Sequence, residues 1–451
     1  MKILRPSFFT ALTFVIAIGC SAIFGAPASA KVFSPETFRL ANGMEVIVIS
    51  NHRAPIVTHM VWYKVGSADE PRGKSGIAHF FEHLMFKRTK NLASGEFSKI
   101  VARNGGRDNA FTSYDYTAYH QSVAVDRLET VMKLEAERMR NLLFDPEQVE
   151  PERLVVLEER RSRTDNSPGA RLGEQMNATM FMNYPYRDPI IGWEHEIRGL
   201  TIADLKGFYD RWYVPNNAIL VVAGDVTAAD VKPLAEKYYG VIPRGPDIER
   251  VRTVEPPHDA ALQVTLRDPQ VRQDSWQRAY LAPSHGYGEK QHAYPLDMLT
   301  EILGGSTGRL YTSLVIDQQI AVSAGAFYDA NRIGPSEFTI YASPQPGVSI
   351  EKLEAAVEAE IQKLLRDGVT ADEVARAKDR MLASAIYARD SARQAARVLG
   401  AALATGRTVA DVEEWPDRIG TVAKDHVDEA AKAVLVKKRS VTGLLLAEQR
   451  S

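Results

Sequence analysis

The chain has 451 residues, of which 45% are hydrophobic and 25% are charged, proportions typical of globular proteins. Its length exceeds what one core usually holds, so two or more domains are expected. The 55 basic and 57 acidic residues give a formal net charge of −2. Together with the lack of a long basic run, this argues against a protein that binds nucleic-acid phosphates. A single cysteine excludes an internal disulfide and a cysteine-based metal cluster.

The first thirty residues have the pattern of a secretory signal peptide. Lys2 and Arg5 open the chain, an apolar stretch follows with no charge before Lys31, and small residues precede Ala30. This pattern predicts cleavage after Ala30 and export to a bacterial periplasm. Two alternatives remain open. The segment stays uncut as a membrane anchor, or Cys20 is lipidated, which is disfavoured because position 17 lacks the usual leucine.

The remainder of the chain is predicted to be a duplication. Helical segments at 126–143 and 145–163 resemble a second pair starting at 351 and 370, and both starts are offset by 225 (351 minus 126, 370 minus 145). Strand-like segments flank both pairs, at 45–49, 56–63, 219–223, 262–266, 321–327 and 443–446. The predicted fold class is α+β, with two homologous half-domains, each a mostly antiparallel sheet with helices packed on one face.

A proline-rich, charged stretch marks the join between the two halves. We predict an N-terminal domain at 31–243, a linker at 244–257 and a C-terminal domain at 258–451.

A short segment of the first half carries two histidines and a glutamate at helical spacing. Apolar residues at 77, 80, 81, 84 and 85 form the stripe of an amphipathic helix. Residues four apart share a helix face, so His79 and His83 can present both imidazoles to one metal ion. Glu82 lies beside them, within reach of a metal-bound water. A buried helix would explain either histidine alone, but the three together favour an inverted H-x-x-E-H metal site.

A third ligand is expected from a charged helix further along the chain, since catalytic zinc sites usually have three protein ligands and an open position for water. Glu152 and Glu159 are seven residues apart and share a face, whereas Glu158 is rotated by roughly 100° from Glu159. We predict Glu159 as the third ligand and Glu152 as the carboxylate that orients a ligand histidine. The spacing alone is also typical of a solvated charged helix.

These motifs resemble those of the pitrilysin/insulinase family of zinc peptidases, in the branch that includes the mitochondrial processing peptidase. The interval from His83 to Glu159 (159 minus 83, or 76) and the pair Glu152-Arg153 match the family pattern. A Gly-rich segment at 66–76 and the run Asn109-Ala110-Phe111-Thr112 also match. The resemblance covers residues 35–450.

The resemblance implies a zinc endopeptidase with one Zn²⁺ per chain, held by His79, His83 and Glu159, and with Glu82 as general base. It further implies that the two half-domains form a half-shell around peptides or unfolded segments. Asn109 and Ala110 would lie on an edge strand that pairs with the substrate backbone.

The second half departs from the family pattern in two ways. No second metal set is expected, because the offset of 225 carries the two glutamates to Ala377 and Ser384. Many family members also have an Arg and a Tyr seven apart in this half, and Val315 and Val322 occupy those positions here. We expect a homologous partner subunit to supply the pair, which makes this chain the zinc-bearing member of a heterodimer.

The predicted function is therefore that of a zinc-dependent endopeptidase. The chain is expected to be attached to a membrane only if the N-terminal segment is retained. Two alternatives remain open. The chain acts alone, with Arg309, Tyr311 or Tyr328 as donors, or it is a non-catalytic scaffold subunit that keeps the fold. The complete set of ligands and base argues against a scaffold.

Overall fold

The computed structural model of the protein describes residues 31–448, so the predicted signal peptide lies outside the described residues. Within this range no helix has the length and apolar character needed to cross a bilayer. The strands are β1 (Glu36–Arg39), β2 (Glu45–Ser50), β3 (Ile56–Tyr63), β4 (Arg107–Thr112), β5 (Thr117–Ala124), β6 (Ala218–Gly224), β7 (Leu262–Asp268), β8 (Ser275–Ala282), β9 (Ala321–Tyr328), β10 (Ser336–Pro344) and β11 (Ser440–Ala447).

The helices of the first half are α1 (Ile77–Leu84), α2 (Glu96–Arg103), α3 (Leu128–Asn141), α4 (Pro146–Arg160), α5 (Pro168–Met180), α6 (Glu194–Gly199), α7 (Ile202–Trp212) and α8 (Ala228–Tyr238). Those of the second half are α9 (Ala293–Leu303), α10 (Arg309–Tyr311), α11 (Ile350–Asp367), α12 (Ala371–Ala388), α13 (Ala392–Ala404), α14 (Val409–Glu413), α15 (Trp415–Thr421) and α16 (Lys424–Val434).

The two sheets share one topology. The first has the order β1-β2-β6-β3-β5-β4 and the second has the order β7-β11-β8-β10-β9. The neighbours β2 and β6 are parallel, as are β7 and β11, and the other neighbours are antiparallel. Apart from β1, the second sheet repeats the first strand for strand. The predicted α+β fold of two homologous halves is therefore confirmed.

Four strands, β1, β5, β8 and β10, are absent from the predicted set. In β5 and β8 the reason is a polar side chain that interrupts the apolar pattern. Gln121 of β5 is fully buried and lies 2.7 Å from a ring nitrogen of His59. Arg278 of β8 is also buried, and Glu354 and Glu358 of α11 accept its hydrogen bonds. Such pairing allows polar residues inside a central strand.

The structure adds a feature to the predicted architecture: each sheet is covered on its second face by a helix from the other half. Helices of the same half pack on the first face, as predicted. On the opposite face of the first sheet, Leu399 of α13 packs with Ile47 and Trp62. On the second sheet, Met176 of α5 packs with Val441. We call α5 and α13 the exchanged helices; each buries the central strands of the sheet in the other half on their second face.

The segment between α8 and β7 holds buried charges and exposed valines. Arg250 and Arg252 point inwards, where Arg250 binds Asp69 at 2.7 Å and Arg252 binds Asp69 at 2.6 Å and Asp115 at 3.1 Å. Val251 is 80% exposed. The segment contains neither helix nor strand, in keeping with a linker, while the exact domain boundaries stay a prediction.

Candidate metal centre

Helix α1 presents its two histidines because its other face is fully apolar. Phe80, Phe81 and Leu84 are buried in the core of the first half, which turns His79 and His83 towards α4. The helix starts after Gly76, whose φ of +86° is a left-handed conformation that favours glycine.

The start of α1 lies against another glycine turn. A Cβ at Gly76 would lie 2.6 Å from the carbonyl oxygen of Ile191, and a Cβ at Gly192 would lie 2.5 Å from the Cα of Gly76. This close approach of two backbones places Ile190 and Ile191 beside the site.

Helix α4 is held in place by two buried arginines, Arg153 and Arg160. Arg153 donates to the carbonyl oxygens of Ile197 and Leu200, and Arg160 donates to that of Gly192 and to Glu174. Glu152 and Glu159, each one position before an arginine, share a neighbouring face of the helix, as their spacing predicts.

The two helices bring His79, His83 and Glu159 together. Oε2 of Glu159 lies 3.0 Å from Nε2 of His83 and 3.7 Å from Nε2 of His79. One nitrogen or oxygen of each residue lies within 4.8 Å of the others, and this is the one such cluster found among residues 31–448. Two imidazole nitrogens and a carboxylate oxygen, open to a cavity, are a donor set that fits Zn²⁺.

Glu152 lies where the sequence analysis expects the orienting carboxylate. Its Oε1 is 2.9 Å from Nδ1 of His83, and its Oε2 binds the ammonium group of Lys87. Glu159 is similarly held on its outer oxygen, since Arg163 binds Oε1 at 2.5 Å. Each carboxylate thus turns one oxygen towards a histidine and the other towards a cation. Neither contact was predicted from the sequence, although Lys87 and Arg163 each lie one helical turn after a ligand, His83 and Glu159, which was the available signal.

The charges of the site favour a bound cation. Burial alone would lower the pKa of His83, but hydrogen bonds to Glu152 and Glu159 outweigh it and raise this pKa to about 9. Burial lowers the pKa of His79 to about 4, with a further decrease from His83. The hydrogen bond to His83 is the main cause that lowers the pKa of Glu159. Two carboxylates stabilise positive charge at the point where the imidazoles converge.

Glu82 faces the same cavity, one position before His83. The hydroxyl of Thr112 on β4 donates to its Oε2 at 2.6 Å. Burial raises the pKa of Glu82, and the bond from Thr112 partly opposes the increase. A carboxylate with a raised pKa beside a metal-binding cluster is suited to accept and return a proton.

The cavity at the cluster has a volume of about 640 Å³. It is lined by the histidines and glutamates described above, by Phe86, Ile190 and Ile191, and by residues 109–112 of β4. Strand β4 pairs with β5 on one side and ends the sheet on the other. Asn109 and Ala110 therefore lie on a free strand edge inside the cavity, where the sequence analysis expects them.

The two valines at the family's Arg/Tyr positions and the three residues named as alternative donors lie elsewhere. Val315 packs against the core of the second half, and Val322 is 40% exposed on β9. Arg309 binds Glu373 at 2.6 Å, and the hydroxyl of Tyr328 donates to the carbonyl oxygen of Pro283. None of these residues, nor Tyr311, lines the described cavity. The alternative of a chain that uses these donors alone therefore has no geometric support.

Comparisons with known proteins give the same family for both halves. The profile of Insulinase (Peptidase family M16) matches residues 45–193, and that of the Peptidase M16 inactive domain matches 199–381. The chain is 34% identical over 360 residues to the zinc protease PqqE of Helicobacter pylori, covering 78% of this chain and 80% of that protein. It is 26% identical over 354 residues to the uncharacterized zinc protease YmxG of Bacillus subtilis, covering 78% and 83%.

Solved structures show the same architecture. The crystal structure of a protease from Helicobacter pylori has a TM-score of 0.85 at 30% identity, covering 91% of this chain and 99% of that one. The first half of the periplasmic protease PqqL from Escherichia coli has a TM-score of 0.75 at 20% identity, covering 91% and 92%. The second likeness concerns the fold alone.

Proposed function

The chain belongs to the insulinase family of peptidases, M16, and on this premise we propose that it is a zinc-dependent endopeptidase that cuts peptides or unfolded segments. The observation that carries the proposal is the cluster of His79, His83 and Glu159, with Glu82 beside it in an open cavity. The relatives named zinc proteases support zinc as the metal.

In this proposal each residue of the site has a distinct task. His79, His83 and Glu159 would hold the zinc, which would supply Lewis acidity towards a water and the scissile carbonyl. Glu82 would accept a proton from the attacking water and return it to the leaving amine. The hydroxyl of Thr112 keeps the carboxylate of Glu82 turned into the cavity.

The free edge of β4 is proposed to align the substrate. An extended peptide added beside Asn109 and Ala110 continues the sheet through main-chain hydrogen bonds. This mode requires an unfolded substrate, because a strand inside a folded protein already uses its backbone groups.

We further propose that a homologous subunit completes the site in a periplasmic heterodimer. The cations that line the cavity, Lys87 and Arg163, each bind a glutamate of α4. Both cations therefore hold Glu152 or Glu159 in place and are not free to bind the oxyanion of the substrate. A donor for the oxyanion of the tetrahedral intermediate then comes from outside the chain.

A scaffold subunit is the second candidate, favoured by the match of residues 199–381 to the M16 inactive domain. That match concerns the second half, however, and the ligand cluster lies in the first. A chain with no catalytic role has no physical need for Glu82 in addition to three metal ligands.

The test is zinc content together with peptide cleavage, measured for the chain from residue 31 alone and with its co-purified partner. Glu82→Gln is expected to keep zinc and lose cleavage, whereas Glu159→Gln loses both. Glu158→Gln, an exposed neighbour on α4, is the matched control and leaves both unchanged. Cleavage that survives Glu82→Gln contradicts the proposed base, and full activity of the chain alone contradicts the heterodimer. Zinc binding with no cleavage in either preparation favours the scaffold.

A further inference from the structure

The two histidines of the cluster are held in different ways. Glu152 contacts Nδ1 of His83 and so orients that ring directly. Nδ1 of His79 is buried and has no hydrogen-bond partner within residues 31–448. The direction of the His79 ring therefore depends on its own rotamer and on the position of its backbone at the start of α1.

That backbone is held by two carboxylates from outside the helix. Oε2 of Glu70 accepts the N–H of Gly76 at 2.9 Å, and Oε1 accepts the N–H of Ala78 at 2.8 Å. Glu196 accepts the N–H of Ser75 at 2.6 Å. Because Gly76 has no side chain, these glutamates take the place of the usual side-chain cap.

We propose that Glu70 is a positioning residue for the metal site, which sets the place of His79 by fixing the first turn of α1. The inference rests on the proposed function, since it assumes that the cluster binds zinc. Glu70 bridges the residue before the helix and the residue directly before His79, so a shift of its carboxylate moves the ligand.

The turn that carries Glu70 is itself held by ion pairs of the preceding residue. Asp69, its neighbour, binds Arg250 and Arg252 and accepts the N–H of Gly66 at 3.0 Å. Both arginines belong to the segment that joins the two halves. The join thus holds the turn that carries Glu70, and through it the first turn of the ligand helix.

Glu70→Gln is the sharpest perturbation because it keeps the size of the side chain. A carboxylate accepts both N–H groups, whereas an amide offers one oxygen and turns an NH₂ group towards the other donor. Loss of a hydrogen bond to the side chain of a metal ligand typically weakens metal binding by about 10- to 100-fold. Glu70 bonds the backbone that carries His79 and not its ring, and because Nδ1 of that ring has no hydrogen-bond partner within residues 31–448, we expect an effect of the same order.

The experiment measures the zinc dissociation constant of the chain from residue 31 by competition with a chromophoric chelator, with circular dichroism as the check on folding. Glu70→Gln is expected to weaken zinc binding by about 10- to 100-fold, and Glu70→Asp to recover part of the loss. Asp230→Asn is the matched control: it makes the same change at the N-terminus of α8, outside the site, and leaves zinc affinity unchanged.

Glu196→Gln gives an independent arm if Glu70→Gln fails to fold, and it is expected to weaken zinc binding in the same direction. If folded Glu70→Gln binds zinc as tightly as the wild type, the inference is overturned while the proposed function stands. If Glu70→Gln does not fold, wild-type zinc affinity in folded Glu196→Gln has the same meaning. A wild-type chain that binds no zinc overturns the proposed function and this inference with it. If Glu70→Gln and Asp230→Asn lose zinc affinity equally, the inference about Glu70 is also overturned, since the effect then reflects general helix stability.

Discussion

The exchanged helices make a stability prediction that a pair of glycine substitutions can test. Gly400 lies in α13 against the first sheet, and a Cβ there would lie 2.1, 2.2 and 2.6 Å from three atoms of the Trp62 indole. Normal contact distances are about 3.5–4.0 Å, so the ring or the helix must move by more than ~1 Å. Trp62 is fully buried, and the rings of Phe111 and Tyr116 pack against it at 5.3 and 5.1 Å.

We therefore expect Gly400→Ala to destabilise the protein. Overpacking of a rigid core site costs about 1–3 kcal/mol, and the gain in helix propensity from Gly to Ala returns up to about 1 kcal/mol. Overlap with three indole atoms places the cost in the upper part of that range, about 2–3 kcal/mol. With about 1 kcal/mol returned, the net expectation is a loss of about 1–2 kcal/mol in the free energy of unfolding.

Gly443 in β11 is the matched control. A Cβ there would lie 2.1 Å from Sδ of Met176 in the other exchanged helix, but methionine has flexible torsions and turns away. Gly443→Ala is therefore expected to change the stability by less than about 0.5 kcal/mol. Urea unfolding measures both. Equal effects of the two substitutions, or a stabilised Gly400→Ala, would refute the packing of α13 beneath Trp62.

Three further predictions concern charge, pH and metal. Glu135→Gln leaves Arg138, fully buried like its partner, without a counter-charge, and is expected to cost about 3–5 kcal/mol in urea unfolding; wild-type stability would contradict this. Burial, with help from Asp329, raises the pKa of Asp297 to about 8. Its unfolded value is about 3.9. The contribution of Asp297 to the free energy of unfolding is therefore complete below about pH 4 and is lost as the pH rises through about 8. Asp297→Asn is expected to flatten the fall in unfolding free energy over that range, and an unchanged slope would refute the assignment. Removal of zinc by a chelator is expected to lower the melting temperature of the wild type, since a ligand at 100 times its Kd contributes about 2.7 kcal/mol. The melting temperature of Glu159→Gln is expected to stay unchanged. Equal shifts in the two proteins would place the zinc elsewhere.

The local part of the site follows from the sequence because helical periodicity is a short-range property. His79, Glu82 and His83 share a turn of α1, and Glu152 and Glu159 share a face of α4, wherever these helices lie in the fold. Nothing local indicates that the two faces meet; the resemblance to a known family supplied that step. The contacts of Lys87, Arg163 and Thr112 depend on that meeting and could not be derived beforehand.

The fold was predictable to a similar extent. The repeat of two helix pairs and the strands β2, β3 and β6 follow from hydrophobic periodicity. Those strands are apolar at successive positions, as in 46–49 and 219–223, which is typical of burial on both faces. This was the available signal for a second layer of helices. Which helix supplies that layer depends on contacts between residues far apart in the sequence, such as Leu399 with Trp62 or Met176 with Val441, and no local pattern contains them.

The exchanged helices also determine what a nick in the joining segment would do. Val251 and Val254 face outwards there, and a protease that cut between them would sever the backbone of the chain. The two fragments would nonetheless stay associated, because each contains one helix that packs on the sheet of the other fragment. A fragment made alone would instead expose a broad apolar sheet surface and aggregate. The half that holds the metal-binding cluster therefore does not fold as a separate fragment, although the backbone between the two halves need not be continuous.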